Sequence, residues 1–92
     1  MPQIFDKDED AMLDYAIDWS AWLGDDTIST STWTAAEGIT IAESPPPSVI
    51  GTRTTIWLSG GTLGAWYEVT NHVVTAAGRA DDRTIQVYVV EK

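Results

Sequence analysis

Leu13-Asp14-Tyr15-Ala16-Ile17-Asp18-Trp19-Ser20-Ala21-Trp22-Leu23 is the stretch on which the fold is read. Leu13, Tyr15, Ile17 and Trp19 take every second position, with Asp14, Ala16 and Asp18 between them. A period of two is that of a strand with one face buried and the other wet. The spacing predicts Tyr15, Ile17 and Trp19 in a core and the carboxylates of Asp14 and Asp18 in solvent. The alternation stops at Ser20 and a second tryptophan follows, so the strand ends where the chain turns across the core. Trp22, Asp14 and Asp18 are expected at the edge that meets a partner.

The same period recurs downstream. After a turn at Gly24-Asp25-Asp26, residues 27–34 (TISTSTWT) are rich in β-branched side chains and predict a second strand. Ile28 and Trp33 lie an odd number of positions apart, and a bulge is one way to bring them to one face. Glu37-Gly38 predicts a turn and residues 39–41 a short third strand. Residues 43–48 carry three consecutive prolines, which lack the amide hydrogens of a central strand and predict a stiff loop. They also lack the PxxP spacing and basic flank of a polyproline ligand.

Residues 48–58 return to strand character, with Ile56 and Leu58 on one face and Trp57 on the other. The glycine-rich turn over residues 59–64 has no lysine and no following helix, which rules out a phosphate loop. Residues 65–75 alternate Tyr67, Val69, Asn71 and Val73 against Trp66, Glu68, Thr70, His72 and Val74. Residues 76–83 read as a hairpin connection. Residues 84–91 then alternate Ile85, Val87 and Val89 against Gln86, Tyr88 and Val90. Six to seven short strands jointed by Gly, Pro and Asp predict an all-β, antiparallel β-sandwich over residues 13–92. The last two strands resemble those of immunoglobulin-like and fibronectin-III-like domains, with Tyr67 as the candidate corner tyrosine. Residues 1–12 (MPQIFDKDEDAM) show no period and predict an extended acidic N-terminal arm, pinned to a surface by Ile4 and Phe5.

The 92 residues carry 14 acidic and five basic side chains, a formal net charge of −9. That balance excludes nucleic acid as a partner, because phosphates require a basic footprint. It excludes anionic membrane surfaces for the same reason. A basic or amide-rich protein surface is the complementary partner for Asp14, Asp18, Asp25 and Asp26. With no cysteine, neither a disulfide nor a thiolate metal site is available. The absence of cysteine fits folding in a reducing cytoplasm, and the lack of a membrane-length run or a basic signal-peptide start predicts a soluble chain not secreted by the general route.

Five tryptophans are many for this length, since each buries ~150–250 Å² when fully enclosed. A domain this small is expected to leave some half-exposed at an interface, with Trp22, Trp57 and Trp66 as candidates. Catalytic patterns fail one by one. His72 is the single histidine and has no second ligand for zinc. No serine sits in a Gly-x-Ser-x-Gly elbow. Asp6, Asp8 and Asp10 open like a calcium loop, but Ala11 and Ile17 stand where it needs glycine and glutamate. No enzyme, cofactor, metal or small-molecule substrate is expected.

The run K-D-E-D-A-x-L-D-Y-x-I-D-W-S-A-W-L-G-D-D-T-I over residues 7–28 resembles a family of small tailed-bacteriophage proteins described as fiber–tail adaptors. The similarity continues through Ser31-Thr32-Trp33-Thr34, Gly38-Ile39-Thr40, residues 57–62 with Gly64, residues 67–71, and residues 75–83. The resemblance implies a non-enzymatic structural virion protein, present in several copies, that links tail or neck proteins to fibers. It implies location in the virion, after assembly in the host cytoplasm. Two rival readings are a carbohydrate-binding sandwich, with Trp22, Trp57 and Trp66 stacking on sugar rings, and a capsid decoration protein.

Overall fold

The alternation of residues 13–19 becomes strand β2 (Leu13–Asp18), with Tyr15, Ile17 and Trp19 buried and Asp14 and Asp18 exposed. The computed structural model describes residues 3–91. Within them a four-residue helical turn, α1 (Ser20–Leu23), follows β2. The other strands are β1 (Gln3–Asp8), β3 (Ile28–Ala35), β4 (Ile39–Ile41), β5 (Ser48–Ile50), β6 (Arg53–Gly60), β7 (Trp66–Thr75) and β8 (Ala80–Val90). They form two sheets, β1-β8-β7-β3 and β2-β6-β4, with β5 also paired to β6. β4 and β5 share one side of β6, against Leu58–Gly60 and Arg53–Thr55 respectively. All pairings are antiparallel except β1 with β8. This is the β-sandwich that the period of two predicts.

The inner faces close one core. Ile17, Trp19, Ile56 and Leu58 of one sheet meet Val69, Val73, Ile85, Val87 and Val89 of the other, all essentially without solvent contact. Asn71 falls in the buried register between Val69 and Val73 and is itself fully buried. A buried amide must find partners, and this one finds four. Its Oδ1 accepts from Trp19 Nε1 at 3.0 Å and from Thr54 Oγ1 at 2.7 Å. Its Nδ2 donates to Ser31 Oγ at 2.8 Å and to the Thr32 carbonyl at 3.1 Å. One side chain thus ties β3, β6 and β7 to the end of β2. The Trp33 indole Nε1, by contrast, is covered and has no acceptor among the described residues.

Tyr67 behaves as a corner tyrosine. Its Oη accepts the Thr62 backbone N–H at 2.8 Å, five residues upstream, and the Thr62 donors hold the phenol below its ordinary pKa. Gly61 allows the approach: at φ +95°, a Cβ there would lie 2.7 Å from Val89 Cγ2.

Three expectations need correction. The arm expected over residues 1–12 is extended, but Gln3–Asp8 is a strand of the sandwich, paired in parallel with Ile85–Val90. The expected boundary at residue 12 therefore does not separate it from the domain; Met1 and Pro2 lie outside the described residues. Lys7 hid this strand, because a lysine occupies the buried register. Its stem is fully enclosed, and its Nζ donates to the Asp8 carbonyl at 2.8 Å and the Gly60 carbonyl at 2.7 Å. Burial lowers its pKa from the ordinary lysine value. Residues 48–58 are not one strand but a hairpin, turned at Gly51 with φ +61°. Finally, Asp81, Asp82 and Arg83 belong to β8 rather than to a loop, so the connection shortens to residues 76–79. The extra strands β1 and β5 bring the total among the described residues to eight rather than six or seven. The bulge expected between Ile28 and Trp33 is present, between Ile28 and Thr30.

Candidate interaction surfaces

The end of β2 and the β2–β3 connection hold Asp18, Trp22, Asp25 and Asp26 at one end of the sandwich. There two arginines from the far end of the sequence stack with two tryptophans. The Arg83 guanidinium lies 4.3 Å from the Trp19 ring centroid, and Trp19 meets Trp22 edge-on at 5.3 Å. The Arg79 guanidinium lies 4.5 Å from the Trp22 centroid. Arg79 also donates to the Trp22 carbonyl at 3.2 Å and to the Leu23 carbonyl at 2.9 Å, at the end of the short helix, where the Leu23 carbonyl also accepts the Asp26 amide at 3.0 Å. Trp22 is half-buried in this stack.

Two of the four acidic residues expected to face a partner are engaged within the chain. Asp18 Oδ1 accepts the Ser20 amide at 2.9 Å and the Thr52 hydroxyl at 3.2 Å, and the Ser20 amide chiefly holds its carboxyl below the usual range. Asp26 accepts from the Thr27 amide at 2.9 Å, the Ala77 amide at 3.2 Å and Arg79 Nε at 3.2 Å. The Thr75 hydroxyl, followed by these donors, lowers its pKa. Its side chain is only 10% exposed, so it anchors the β7–β8 hairpin rather than presenting charge. Asp25 remains exposed.

Asp14 and Trp57 are brought together. They are directly opposed across the β2–β6 ladder, on the outer face of that sheet, with Asp14 exposed and Trp57 half-buried. Trp66 lies on the outer face of the other sheet, 55% exposed and packed on Tyr88 at 4.6 Å between centroids. Asp6 of β1 stands opposite Tyr88 in the same row. The alternation of β1 splits Ile4 from Phe5: Ile4 faces solvent, whereas Phe5 packs on Tyr15 at 5.0 Å. Phe5 is thus withdrawn from any outer surface.

Sequence reading missed Met12, Leu13 and Leu63, which are exposed at the same end of the sandwich as Trp66. A strand-initial Leu13 in the buried register concealed its own exposure. The single histidine, His72, hydrogen-bonds Asp82 across the β7–β8 ladder, with both side chains exposed. The neighbouring Thr32 hydroxyl bonds the His72 carbonyl, not the ring. Among the described residues no cluster of three or more His, Asp or Glu side chains is placed to hold a metal ion.

Family relationships rest on this same span of chain. Residues 7–88 match the family model described as podophage GP4 fiber-tail adaptor protein gp77. The chain belongs to this family. The matched span runs from Lys7 near the end of β1 to Tyr88 near the end of β8, so the fiber-tail adaptor family model takes in β2 to β7 complete and most of β8. No curated protein shows a significant match. Among solved structures, the PKD domain from KIAA 1837 protein, known from a solution structure, is similar with a TM-score of 0.60. That similarity covers 99% of this chain and 81% of the PKD chain at 16% identity, which speaks to the fold alone.

Proposed function

We propose that this fiber-tail adaptor chain is a non-enzymatic structural component of a tailed-phage virion that joins tail or neck proteins to fibers. The family match over residues 7–88 carries the reading. The chain's chemistry supports it: a cysteine-free sandwich with a net charge of −9 offers acidic and aromatic surface suited to protein contacts. Asp14 with Trp57 on one outer face, Asp25 at the α1 end, and Ile4 with Trp66 on the other outer face are the residues proposed to meet partners. The partner surface that fits is basic or amide-rich and covers the half-buried Trp57 indole beside Asp14.

Protein docking is favoured over the carbohydrate reading because Trp57 and Trp66 belong to opposite sheets and Trp22 is stacked under Arg79. Particles assembled without this chain test the proposal. They are expected to keep heads and tails but to lack fibers; fully fibered particles would overturn it.

A further inference from the structure

Two sandwiched sheets expose four edges, and unpaired edges are sites of pairing with other chains unless blunted. Three of the four edges here are blunted. β1 carries Asp6 and Asp8 outward and the buried Lys7 inward. β2 carries Asp14 and Asp18. The β4/β5 edge consists of two three-residue strands separated by the proline loop. The fourth, β3, is eight residues long, Ile28 to Ala35, and contains no charge and no proline. Its bulge lies at the very start, leaving Thr30 to Ala35 in regular register with Val74 to Val69.

We infer that β3 is a pairing edge for a second copy of this chain, joined antiparallel about a two-fold axis at Thr32. The register follows from which groups face outward. Ala36 N–H donates to the Glu68 carbonyl, so along this ladder the pairs Thr34–Thr70, Thr32–His72 and Thr30–Val74 are the hydrogen-bonded ones. The amides and carbonyls of Ser31, Trp33 and Ala35 therefore point away from β7. A copy can bond them only if its own odd-numbered residues stand opposite.

Centring the axis on Thr32 sets Ser31 opposite the copy's Trp33, Thr30 opposite the copy's Thr34, and Thr32 opposite itself. Every exposed threonine of the strand then faces a threonine, a favourable cross-strand pair, and no two indoles are forced face to face. The sheet becomes continuous: β1-β8-β7-β3 followed by the same four strands in reverse. A second copy is the occupant that this edge fits, because the strand matches itself about Thr32 and brings no charge into the seam, whereas the net charge of −9 sets two chains against one another elsewhere. For the same reason the pairing strengthens as salt rises, the opposite of docking to a basic partner. The inference concerns copy-on-copy contact only, and its failure leaves the adaptor reading intact.

A cysteine-free chain makes the test specific. Thr32→Cys places two sulfurs on the axis in a non-hydrogen-bonded pair, where Cα atoms stand ~4.5 Å apart, within disulfide reach. Thr34→Cys and Ser48→Cys, both at exposed positions, place them apart. The full chain with T32C is expected to form disulfide dimer at least about tenfold faster than either control, through effective concentration. Sedimentation of the unmodified chain is expected to show dimer that increases with salt. Thr32→Lys, also on the exposed face, is expected to give monomer with an unchanged circular dichroism spectrum. T32C oxidation no faster than the controls would overturn the inference. A chain that stays monomeric at high concentration in both low and high salt would do the same.

Discussion

The Trp19 indole N–H donates to the Asn71 side-chain oxygen at 3.0 Å, joining the end of one sheet to the middle of the other. The same oxygen accepts the Thr54 hydroxyl, so the two sheets share a hydrogen-bonded centre inside an otherwise apolar core. Such a network is costly to break in part, because each orphaned group keeps its full desolvation penalty.

Asn71→Leu keeps the volume and removes four partners at once. The expected loss of stability is about 2–4 kcal/mol by urea denaturation. Thr54→Val, which leaves the Trp19–Asn71 bond in place, is expected to cost about 1 kcal/mol. An equal effect of the two substitutions would remove Asn71 from its central position.

Alkaline pH separates Tyr15 from Lys7. The Lys7 pKa is lowered in the folded state, so between that value and the unfolded value the unfolded chain binds more protons, and stability rises with pH. Tyr15 behaves oppositely: burial, then Asp14 and Asp6, push its pKa up to about 12. Above pH ~10 the unfolded chain ionises this phenol first, and stability falls by about 2–3 kcal/mol by the upper end of the window. The two groups therefore act in opposite directions, Lys7 raising stability up to its unfolded value and Tyr15 lowering it above pH ~10. Tyr15→Phe is expected to flatten the fall above that pH and to change neutral-pH stability by under ~1 kcal/mol. Thermal melts of both proteins across this range check it.

The acidic limb belongs to Asp18 and Asp26. Both carboxyls are held below their ordinary pKa in the fold, so their contribution is complete above the unfolded value near ~3.9. It is lost as pH falls through the folded values. Asp26→Asn is expected to lower the melting temperature at neutral pH and to shrink the fall between neutral and strongly acidic solution.

Arg79 clamps α1 from a position 57 residues away in sequence from Trp22. Arg79→Ala removes the ring contact, two carbonyl caps and the Asp26 pair, at an expected cost of about 1–3 kcal/mol. Trp22 is expected to become more exposed, which a red-shifted tryptophan emission reports. Arg79→Lys is expected to recover only part of this, since an ammonium cannot serve all three contacts in one plane.

Much of this architecture was legible in period-two alternation. The buried faces of β2, β6, β7 and β8 follow directly from Tyr15, Ile56, Val69 and Ile85 and their second neighbours. Asn71 was legible as well, as a polar side chain in a buried register, although its partners were not. β1 was not legible, because Lys7 occupies an inward position and the acidic run around it looks solvated. The roles of Asp18 and Asp26 depend partly on local signals, an Asp shortly before a Ser or Thr amide. They depend also on Thr52, Ala77 and Arg79, which only the fold brings near. The stacking of Arg79 and Arg83 on two tryptophans links chain segments that no local pattern connects.

The adaptor reading places this sandwich between tail and fiber proteins, and cryo-electron microscopy of the source particle tests that most directly. The account predicts density for this two-sheet fold, with its β2–β6 outer face and Trp57 against another protein, at the base of the fibers. Density for the same fold on the head alone, or fibers joined to the tail with no such density between them, would contradict it.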